Sequence, residues 1–442
     1  MKLLYLLLFV ALLILHLLLC KKFFHNFWGT FQVYGLILFS LLIIVQLPII
    51  NYKELSVKAI GLYLLTYVIF LLSCVSLRKS HFIKLFNRLE FINYNYLNRI
   101  WKICTFIFGV FVIIQWIYVI KRFGSLSFIM NNSMAVRTES IDNQILPIYV
   151  SYSLGIGFVS TGIGSFLFFF QKKKIYEKLK YIIPVLLSVI SGFADFSRMT
   201  MLMHIFVFAS GFFIYMSGVN NKDISIKKEK KKYLRWAVFL SFLAIVVLIL
   251  PKYFRDSKGQ TIYNFLSLYS SIKTTNPIAI YLFNLFDYIA GPIVAFGDYI
   301  KSAHSDILCG AAFFRPLLHL LERIFGFNYM DYELVYEFVQ VPTTTNIYTW
   351  MREAFADWGY LGIAIVPLFW GMGTVMCLKV KFINTFLRYV LLQFIYLYIL
   401  FGFFYTPYCQ GSPTIGMTLY FLMTILFSKK INNNDCREKS ET

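Results

Sequence analysis

The chain has 442 residues, of which 59% are hydrophobic and only 14% are charged. This composition excludes an ordinary soluble globular protein, because apolar runs of about 18 residues or more, each long enough to cross a bilayer as a helix, recur along the sequence. The net charge of +21 would suggest nucleic-acid binding in a soluble protein, but here the basic residues follow the spacing of the apolar runs. We therefore predict an all-α, polytopic membrane protein that does not bind nucleic acid.

The apolar runs predict about eleven transmembrane helices. In chain order they cover residues 3–20, 31–50, 57–77, 102–120, 146–170, 181–195, 200–218, 236–251, 360–378, 387–404 and 413–428. No small-residue cleavage site follows the first run, so we predict a retained span rather than a signal peptide. The spans divide the chain into an N-terminal bundle (1–251), a large outer loop (252–359), three C-terminal spans (360–428) and a tail (429–442).

The segments between the spans alternate in charge. One set of segments holds 27 Lys and Arg against 7 Asp and Glu, whereas the rest of the chain holds 15 against 14. The positive-inside rule makes the basic set cytoplasmic, which places the C-terminus inside and the N-terminus outside. The basic set comprises residues 20–30, 78–102, 171–180, 219–235, 379–388 and the tail from 429.

The sequence contains no pattern typical of a cofactor or metal site. The seven cysteines include no CxxC motif and no His/Cys cluster. No Walker loop, HExxH motif or hydrolase elbow occurs either. We therefore predict no metal and no cofactor. Cys309 and Cys409 fall on the predicted outer side, which leaves a disulfide between them open.

The long outer loop is the first place to expect a functional site, since long ordered loops in compact proteins are usually functional. Within it, the sequence RPLLHLLERIFGF predicts an amphipathic helix that begins at Arg315. Arg315, His319 and Arg323 are four residues apart and would share one face of that helix. Such a stripe suits anion binding or proton transfer, and equally a solvated surface on which Arg323 pairs with an acidic neighbour.

Three further arginines lie in predicted outer segments. Arg198 follows Asp195 by three residues in the turn between the sixth and seventh spans. It either closes this turn as an ion pair or faces a cavity and binds an anion through its planar donor group. The other two arginines are Arg137, in the segment 121–145, and Arg255, in the long loop. Each is either a solvated surface residue or a further ligand of an anion.

The sequence TTTNIYTWMREAFADWGYLG leads directly into the ninth predicted span. We expect a helix to begin after Thr345 or Asn346, whose side-chain oxygens would cap its first turn. Glu353 and Asp357 are four residues apart and share a face, which is unfavourable unless a cation, a proton or a substrate compensates for them. One interpretation is a network of Arg352 with these acids at the interface. The other is a helix that presents polar groups to a polar substrate.

This segment resembles the C-terminal part of the oligosaccharide repeat-unit polymerases, the Wzy-type O-antigen and capsule polymerase family. Members often carry an Asn-x-Tyr-Thr run, followed by an Asp- and Gly-containing stretch that enters a late span. The matching positions here are Asn346, Tyr348, Thr349, Asp357, Gly359 and Gly362. The predicted number of spans, the large outer loop and an arginine in a short outer turn, Arg198, are also similar to the family. The local motif is confined to residues 343–373.

The resemblance implies a membrane glycosyltransferase in the inner or plasma membrane of a bacterium. It would transfer a glycan from undecaprenyl pyrophosphate to a sugar hydroxyl of the next lipid-linked repeat unit, at the outer face. Fixed guanidinium groups would stabilise the pyrophosphate leaving group, and a general base would assist the hydroxyl. The catalytic candidates are Arg198, Arg315, Arg352, Glu353, Asp357 and His319. The substrate-binding candidates are Arg137, Arg255, Asn346, Tyr348 and Thr349.

Other functions stay open at this point. A flippase for lipid-linked oligosaccharides would be expected to show two related halves, and the sequence shows no internal repeat. Another lipid-phosphate-dependent glycosyltransferase or a glycan ligase shares the same leaving-group chemistry. A non-catalytic membrane scaffold would not need the outer arginines. As partners of a polymerase we expect the lipid-linked oligosaccharide and the bilayer, with a chain-length regulator and a flippase as further candidates.

Overall fold

The computed structural model describes residues 2–89, 91–142, 145–218, 277–302, 307–326, 339–341, 344–380, 383–404, 406 and 411–431, with scattered positions between 234 and 249. These residues are mostly helical, as predicted, and they include one short two-stranded ladder. Six helices are long and apolar enough to cross a membrane, judged by length and composition. They are Lys2–Phe24, Val57–Cys74, Tyr94–Phe123, Tyr149–Phe170, Arg198–Gly218 and Met351–Lys379.

The first half of the chain forms twelve of the described α-helices. They are α1 (Lys2–Leu19), α2 (Thr30–Gln46), α3 (Val57–Cys74), α4 (Lys79–Leu89), α5 (Tyr94–Phe123), α6 (Leu126–Asn131), α7 (Ser133–Asp142), α8 (Ile148–Ser153), α9 (Ile156–Phe170), α10 (Ile175–Lys178), α11 (Ile183–Ala194) and α12 (Arg198–Gly218). A π-helical turn extends α1, and a 3-10 turn precedes α11.

The described elements after residue 276 are six helices and two strands. They are α13 (Pro277–Ser302), α14 (Arg315–Phe325), β1 (Val339–Gln340), β2 (Thr344–Thr345), α15 (Met351–Lys379), α16 (Thr385–Phe401), α17 (Gly411–Leu426) and α18 (Ser428–Ile431). The two strands pair antiparallel, with Val339 opposite Thr345.

Ten of the eleven predicted spans coincide with described helices, whereas residues 236–251 lie mostly outside the described part of the chain. Three of the ten, α2, α16 and α17, are apolar helices of only 16 or 17 residues. The helix α11 has 12 residues, about 18 Å at the usual rise, which is short of a hydrocarbon core of about 30 Å. The structure thus gives six full-length candidate spans, and the count of eleven stays a prediction.

The described residues group into two compact units. The first draws on Met1–Arg78, Gly259–Val375 and Tyr398–Gly411, and the second on Lys79–Lys258, Met376–Leu397 and Ser412–Thr442. Each unit therefore combines segments that are distant in sequence, and the division into bundle, loop and C-terminal spans stays a prediction.

Aromatic packing holds the first unit together. The ring of Tyr34 on α2 lies 5.4 Å from Phe70 on α3 and 6.0 Å from Trp370 on α15, between ring centroids. His16 on α1 is buried, and its two ring nitrogens lie 3.0 Å from the hydroxyl of Tyr67 and 2.9 Å from the carbonyl oxygen of Gln32. Buried polar groups need such partners, so this histidine is a structural link between α1, α2 and α3.

The predicted outer loop contains regular structure. The apolar residues near its middle form the 26-residue helix α13, which contains Pro292. This helix packs against α2 and α3 and lies beside the β1–β2 ladder. The side of the membrane on which the segment lies stays a prediction.

The centre of the second unit is α9, which has 14 buried residues and packs between α5 and α12. Its buried face carries Phe166, whose ring lies 5.0 Å from that of Tyr389 on α16. At one end of α5, the cluster of Val119, Ile129, Val136, Ala194 and Phe196 joins α6 and α7 to the turn between α11 and α12. This turn carries Asp195 and Arg198.

Candidate functional site

The most unusual backbone geometry in the first unit lies within α15. Gly359 has φ 60° and ψ −144°, so the helix is broken there into residues 351–358 and 360–379. A Cβ atom on Gly362 would lie 2.0 Å from the carbonyl oxygen of Ala354. In a continuous helix residues eight positions apart are separated by about 12 Å. The chain therefore reverses at Gly359, and two turns of helix stand apart from the apolar span that follows.

The short helix begins later than the sequence predicted. Its first residue is Met351, and the threonines before it are extended, because Thr344 and Thr345 pair with β1. The hydroxyl oxygen of Thr345 accepts a hydrogen bond from Ile347 N at 3.1 Å. The prediction that Thr345 or Asn346 caps the helix is therefore wrong. Asn346 is exposed in the segment between β2 and the helix.

Main-chain groups define the real start of this helix. The carbonyl oxygens of Thr349 and Trp350 accept hydrogen bonds from Arg352 N at 3.0 Å and Ala354 N at 3.2 Å. The N–H group of Trp350 donates to the carbonyl oxygen of Gly402 at 2.7 Å. Thr349, a predicted substrate-binding residue, is fully buried at this helix start. The helix is thus tied at its beginning to the chain near residue 402.

Arg352 is buried between two aromatic rings. Only 6% of the residue is exposed, and its guanidinium carbon lies 4.9 Å from the ring centroid of Tyr348 and 5.3 Å from that of Tyr299 on α13. A cation over a desolvated aromatic ring gains about 2 kcal/mol. The two rings are inclined at 68° to each other, and their contacts restrict the movement of the guanidinium group, which carries the donors that bind carboxylate and phosphate.

Glu353 is the next residue and is fully buried. Its Oε2 atom accepts a hydrogen bond of 2.7 Å from the hydroxyl of Thr406. A buried carboxylate needs such donors, since burial of an ionised group without them is very unfavourable. Glu353 therefore has a fixed orientation beside Arg352, as a candidate general base must have.

Asp357 is also fully buried, but its surroundings differ. Its two carboxylate oxygens accept hydrogen bonds from Ala312 N at 2.8 Å and Phe313 N at 2.7 Å. Leu308 N and Cys309 N donate in turn to the carbonyl oxygens of Ala356 and Asp357, at 2.9 and 3.1 Å. We call this arrangement the Asp357 clasp. It binds the turn before α14 to the short helix, which favours a positioning role for Asp357 over that of a base.

The clasp also places the predicted anion-binding stripe. Arg315 is the first residue of α14 and is partly exposed, two residues after the clasped Phe313. His319 lies one helical turn further along α14, and its side chain, like that of Arg323, lies outside the described residues. The turn that precedes Arg315 is therefore joined to the short helix of Arg352 by the hydrogen bonds of the clasp. Arg255 falls outside the described part of the chain.

Comparison of the chain with protein-family models, curated proteins and solved structures gives no match. The resemblance to the repeat-unit polymerases therefore stays a prediction. Among the residues that the structure describes, no group of three or more His, Cys, Asp or Glu side chains is placed to hold a metal ion.

The remaining candidates, Arg137 and Arg198, belong to the second unit. Asp195 Oδ2 lies 3.8 Å from Arg137 Nη1, and Asp195 Oδ1 accepts a hydrogen bond from Ser197 N at 3.1 Å. Arg198 is the first residue of α12 and is partly exposed. The sequence predicted a contact of Asp195 with Arg198 as one alternative, and the structure brings Arg137 to the same carboxylate. Ion pairs with this degree of exposure contribute about 0–1 kcal/mol.

Sequence reasoning missed three residues near the Arg352 segment. Tyr299 covers one face of Arg352 and Thr406 hydrogen-bonds Glu353, and neither residue belongs to a recognisable motif. Asp287 on α13 is 6% exposed. Burial raises the pKa of Tyr52 well above its ordinary value, and the nearby carboxylate of Asp287 raises it further. An acidic residue within an apolar run was a signal that could have identified Asp287.

Proposed function

We propose that this protein polymerises undecaprenyl-pyrophosphate-linked oligosaccharide repeat units into a surface polysaccharide. The resemblance of residues 343–373 to the polymerase family supplies the reaction class. The observation that carries the proposal is the environment of Arg352, a guanidinium group buried against two tyrosine rings at the start of the short helix that precedes an apolar span.

This environment suits a pyrophosphate leaving group. The first-turn N–H groups of a helix carry the positive end of its dipole, and Arg352 adds a full charge at the same end. Charge interactions at a site shielded from water are stronger than in solution. The two tyrosine rings pack against the guanidinium group, so little reorganisation is needed when negative charge develops in the transition state.

In the proposed reaction, a sugar hydroxyl of one repeat unit attacks the anomeric carbon of the glycan on the other lipid carrier. The hydroxyl proton passes to Glu353, which the Thr406 hydroxyl orients. The bond between the anomeric carbon and the phosphate oxygen breaks, and undecaprenyl pyrophosphate leaves beside Arg352. Asp357 acts through the clasp, which sets the position of Arg315, a second candidate for the leaving group.

Deletion and complementation test the function. The gene is deleted and restored as wild type, Arg352→Ala or Arg352→Lys, and the surface glycan is sized on a gel. We expect the deletion to convert a ladder into a single repeat unit, and wild type to restore the ladder. Loss of a donor to a developing oxyanion costs about 10²–10³ in rate, so Arg352→Ala should leave the single unit at normal protein level. Arg352→Lys should restore little, because lysine lacks the planar donor group.

A matched control is Arg122→Ala, which removes an exposed arginine paired with Glu139 and should leave the ladder unchanged. Three outcomes overturn the proposal. Trapping of lipid-linked units inside the cell indicates a flippase. Long polymers that accumulate on the lipid carrier indicate a ligase. An unchanged ladder in the deletion strain removes the assignment altogether.

A further inference from the structure

The second unit contains a polar cavity of about 80 Å³ between its helices. Eight of the twelve residues that line it are polar, although helices α5, α11, α12 and α17, which contribute to its wall, are largely apolar. The polar residues include Gln115, Ser188, Ser191 and Ser412, from three different helices. We call it the His204 cavity after the most buried ionisable side chain in its wall.

His204 lies on α12, within the first third of a predicted span, and only 1% of it is exposed. Its imidazole ring stacks between Phe158, at 4.1 Å, and Phe108, at 5.6 Å, measured between ring centroids. Nδ1 lies 2.8 Å from the hydroxyl oxygen of Thr161. Ionisable residues at this depth tend to be functional or paired. This pairing fixes the ring, and the side chain lines the cavity.

Two serines in the wall, Ser188 and Ser191, use their hydroxyl hydrogens within the protein, so their oxygen atoms can accept hydrogen bonds from a ligand. Ser188 Oγ donates to the carbonyl oxygen of Val185 at 2.7 Å, and Ser191 Oγ donates to Gln115 Oε1 at 2.6 Å. Gln115 Nε2 donates back to the carbonyl oxygen of Ser191 at 3.1 Å. Since Ser188 and Ser191 already use their hydroxyl hydrogens, this part of the wall favours a ligand that donates hydrogen bonds.

The carboxylate in the wall does not make the cavity a cation site. Asp195 Oδ1 accepts from Ser197 N, and Oδ2 faces Arg137 at 3.8 Å, so the guanidinium group balances the charge. A neutral donor therefore fits better than a cation. The cavity, of about 80 Å³, is large enough to hold a small polar group in place of water.

We propose that the His204 cavity binds the hydroxyl-bearing edge of a sugar or a similar neutral polyol. Hydroxyl groups donate to Ser188 and Ser191, and they both donate and accept, so they match either tautomer of His204. This proposal concerns binding in the second unit and does not depend on the transfer reaction proposed for the first.

The test is saturation-transfer difference NMR on the full-length protein in lipid nanodiscs. The probes are glycerol, methyl glucopyranoside and methyl galactopyranoside. His204→Phe keeps a ring between the two phenylalanines and removes both nitrogens, and Ser188→Leu fills the cavity. The control, Ser217→Ala, removes another buried serine of the second unit, which donates to the carbonyl oxygen of Ile214 and does not line the cavity.

We expect wild type to transfer saturation to at least one probe, and Ser217→Ala to bind it equally. His204→Phe should weaken binding about three- to tenfold, the effect of one hydrogen bond, and Ser188→Leu, which fills the cavity, should abolish it. The size-exclusion profile shows whether each variant folds. If His204→Phe does not fold, the binding measured for Ser188→Leu decides the test. Arg352→Ala should bind normally even where it abolishes polymerisation, which separates this proposal from the proposed function. The proposal is overturned by no transfer in folded wild type, by equal binding in both cavity variants, or by loss of binding in Arg352→Ala.

Discussion

Replacement of Asp357 by asparagine separates the two roles that a carboxylate at this position can have. Sequence reasoning made Asp357 a candidate general base, whereas the structure surrounds it with main-chain donors from Ala312 and Phe313. Asn is nearly the same size and keeps one acceptor oxygen. It therefore tests the clasp without opening a cavity.

The size of the effect follows from the two hydrogen bonds. Hydrogen bonds to a charged group contribute about 1.5–3 kcal/mol each. In Asp357→Asn one N–H keeps an acceptor and the other meets an amide –NH₂ group, so the free energy of unfolding should fall by about 1.5–3 kcal/mol. Asp357→Ala removes both acceptors and should cost about 3–6 kcal/mol, a large part of the stability of a typical protein. Asn is therefore the more informative variant.

The assay combines thermal unfolding of the purified protein in nanodiscs with the glycan ladder in cells. Asp298→Asn is the matched control, because Asp298 makes an exposed ion pair of 3.0 Å with Lys53, worth about 0–1 kcal/mol. We expect Asp357→Asn to unfold at a clearly lower temperature than wild type and Asp298→Asn. The ladder of Asp357→Asn should weaken only as far as the amount of folded protein falls.

One result would refute the positioning role. If Asp357→Asn unfolds like wild type, yet its ladder collapses to a single repeat unit at normal protein level, then the carboxylate takes part in the chemistry. In that case the hydrogen bonds of the clasp would not contribute measurably to stability, and Asp357 would replace Glu353 as the proposed base.

Two further predictions concern the same helix. Gly362→Ala places a Cβ atom 2.0 Å from the carbonyl oxygen of Ala354, so the helix reversal cannot persist and the level of folded protein should fall sharply on an immunoblot. Gly61→Ala, at a helical glycine with no atom within 4 Å of the added carbon, should not lower it, and equal levels for the two variants would contradict the reversal. Thr406→Val removes the donor to Glu353 and should lower polymerisation about tenfold, whereas Thr406→Ser should restore it. A normal ladder in Thr406→Val would show that Glu353 does not need this hydroxyl.

The helices were predictable because hydropathy is a local property. A run such as residues 3–20 needs a nonpolar environment whatever lies beside it, and α1 is a helix over Lys2–Leu19. Helix ends were less predictable. Thr345 has a good capping side chain, but it pairs with β1 and belongs to a strand. The helix begins only at Met351, where the N–H groups of Arg352 and Ala354 donate to the carbonyl oxygens of Thr349 and Trp350. The pairing residue, Val339, carries no signal that sequence reasoning could use.

The site residues were recognisable by type, but their roles were not. Glu353 and Asp357 were expected to need a cation, a proton or a substrate, because both lie on one face of a helix. Their donors instead come from Thr406, 53 residues after Glu353, and from the main chain of Ala312, 45 residues before Asp357. Main-chain N–H groups belong to nearly every residue, so no sequence pattern marks the ones that bind a carboxylate.

The same limit explains why Arg352 could not be ranked above the other arginines. Arg137, Arg198 and Arg315 are partly exposed, so water screens their charge, whereas Arg352 is shielded by tyrosine rings. Tyr348 is close to it in sequence, but Tyr299 comes from α13. A guanidinium group fixed in this way stabilises a leaving group only while both rings restrict its movement. Tyr299→Leu should therefore impair polymerisation at normal protein level, and the length of the glycan ladder measures this. An unaffected ladder would show that Arg352 needs only its charge and not the ring of Tyr299.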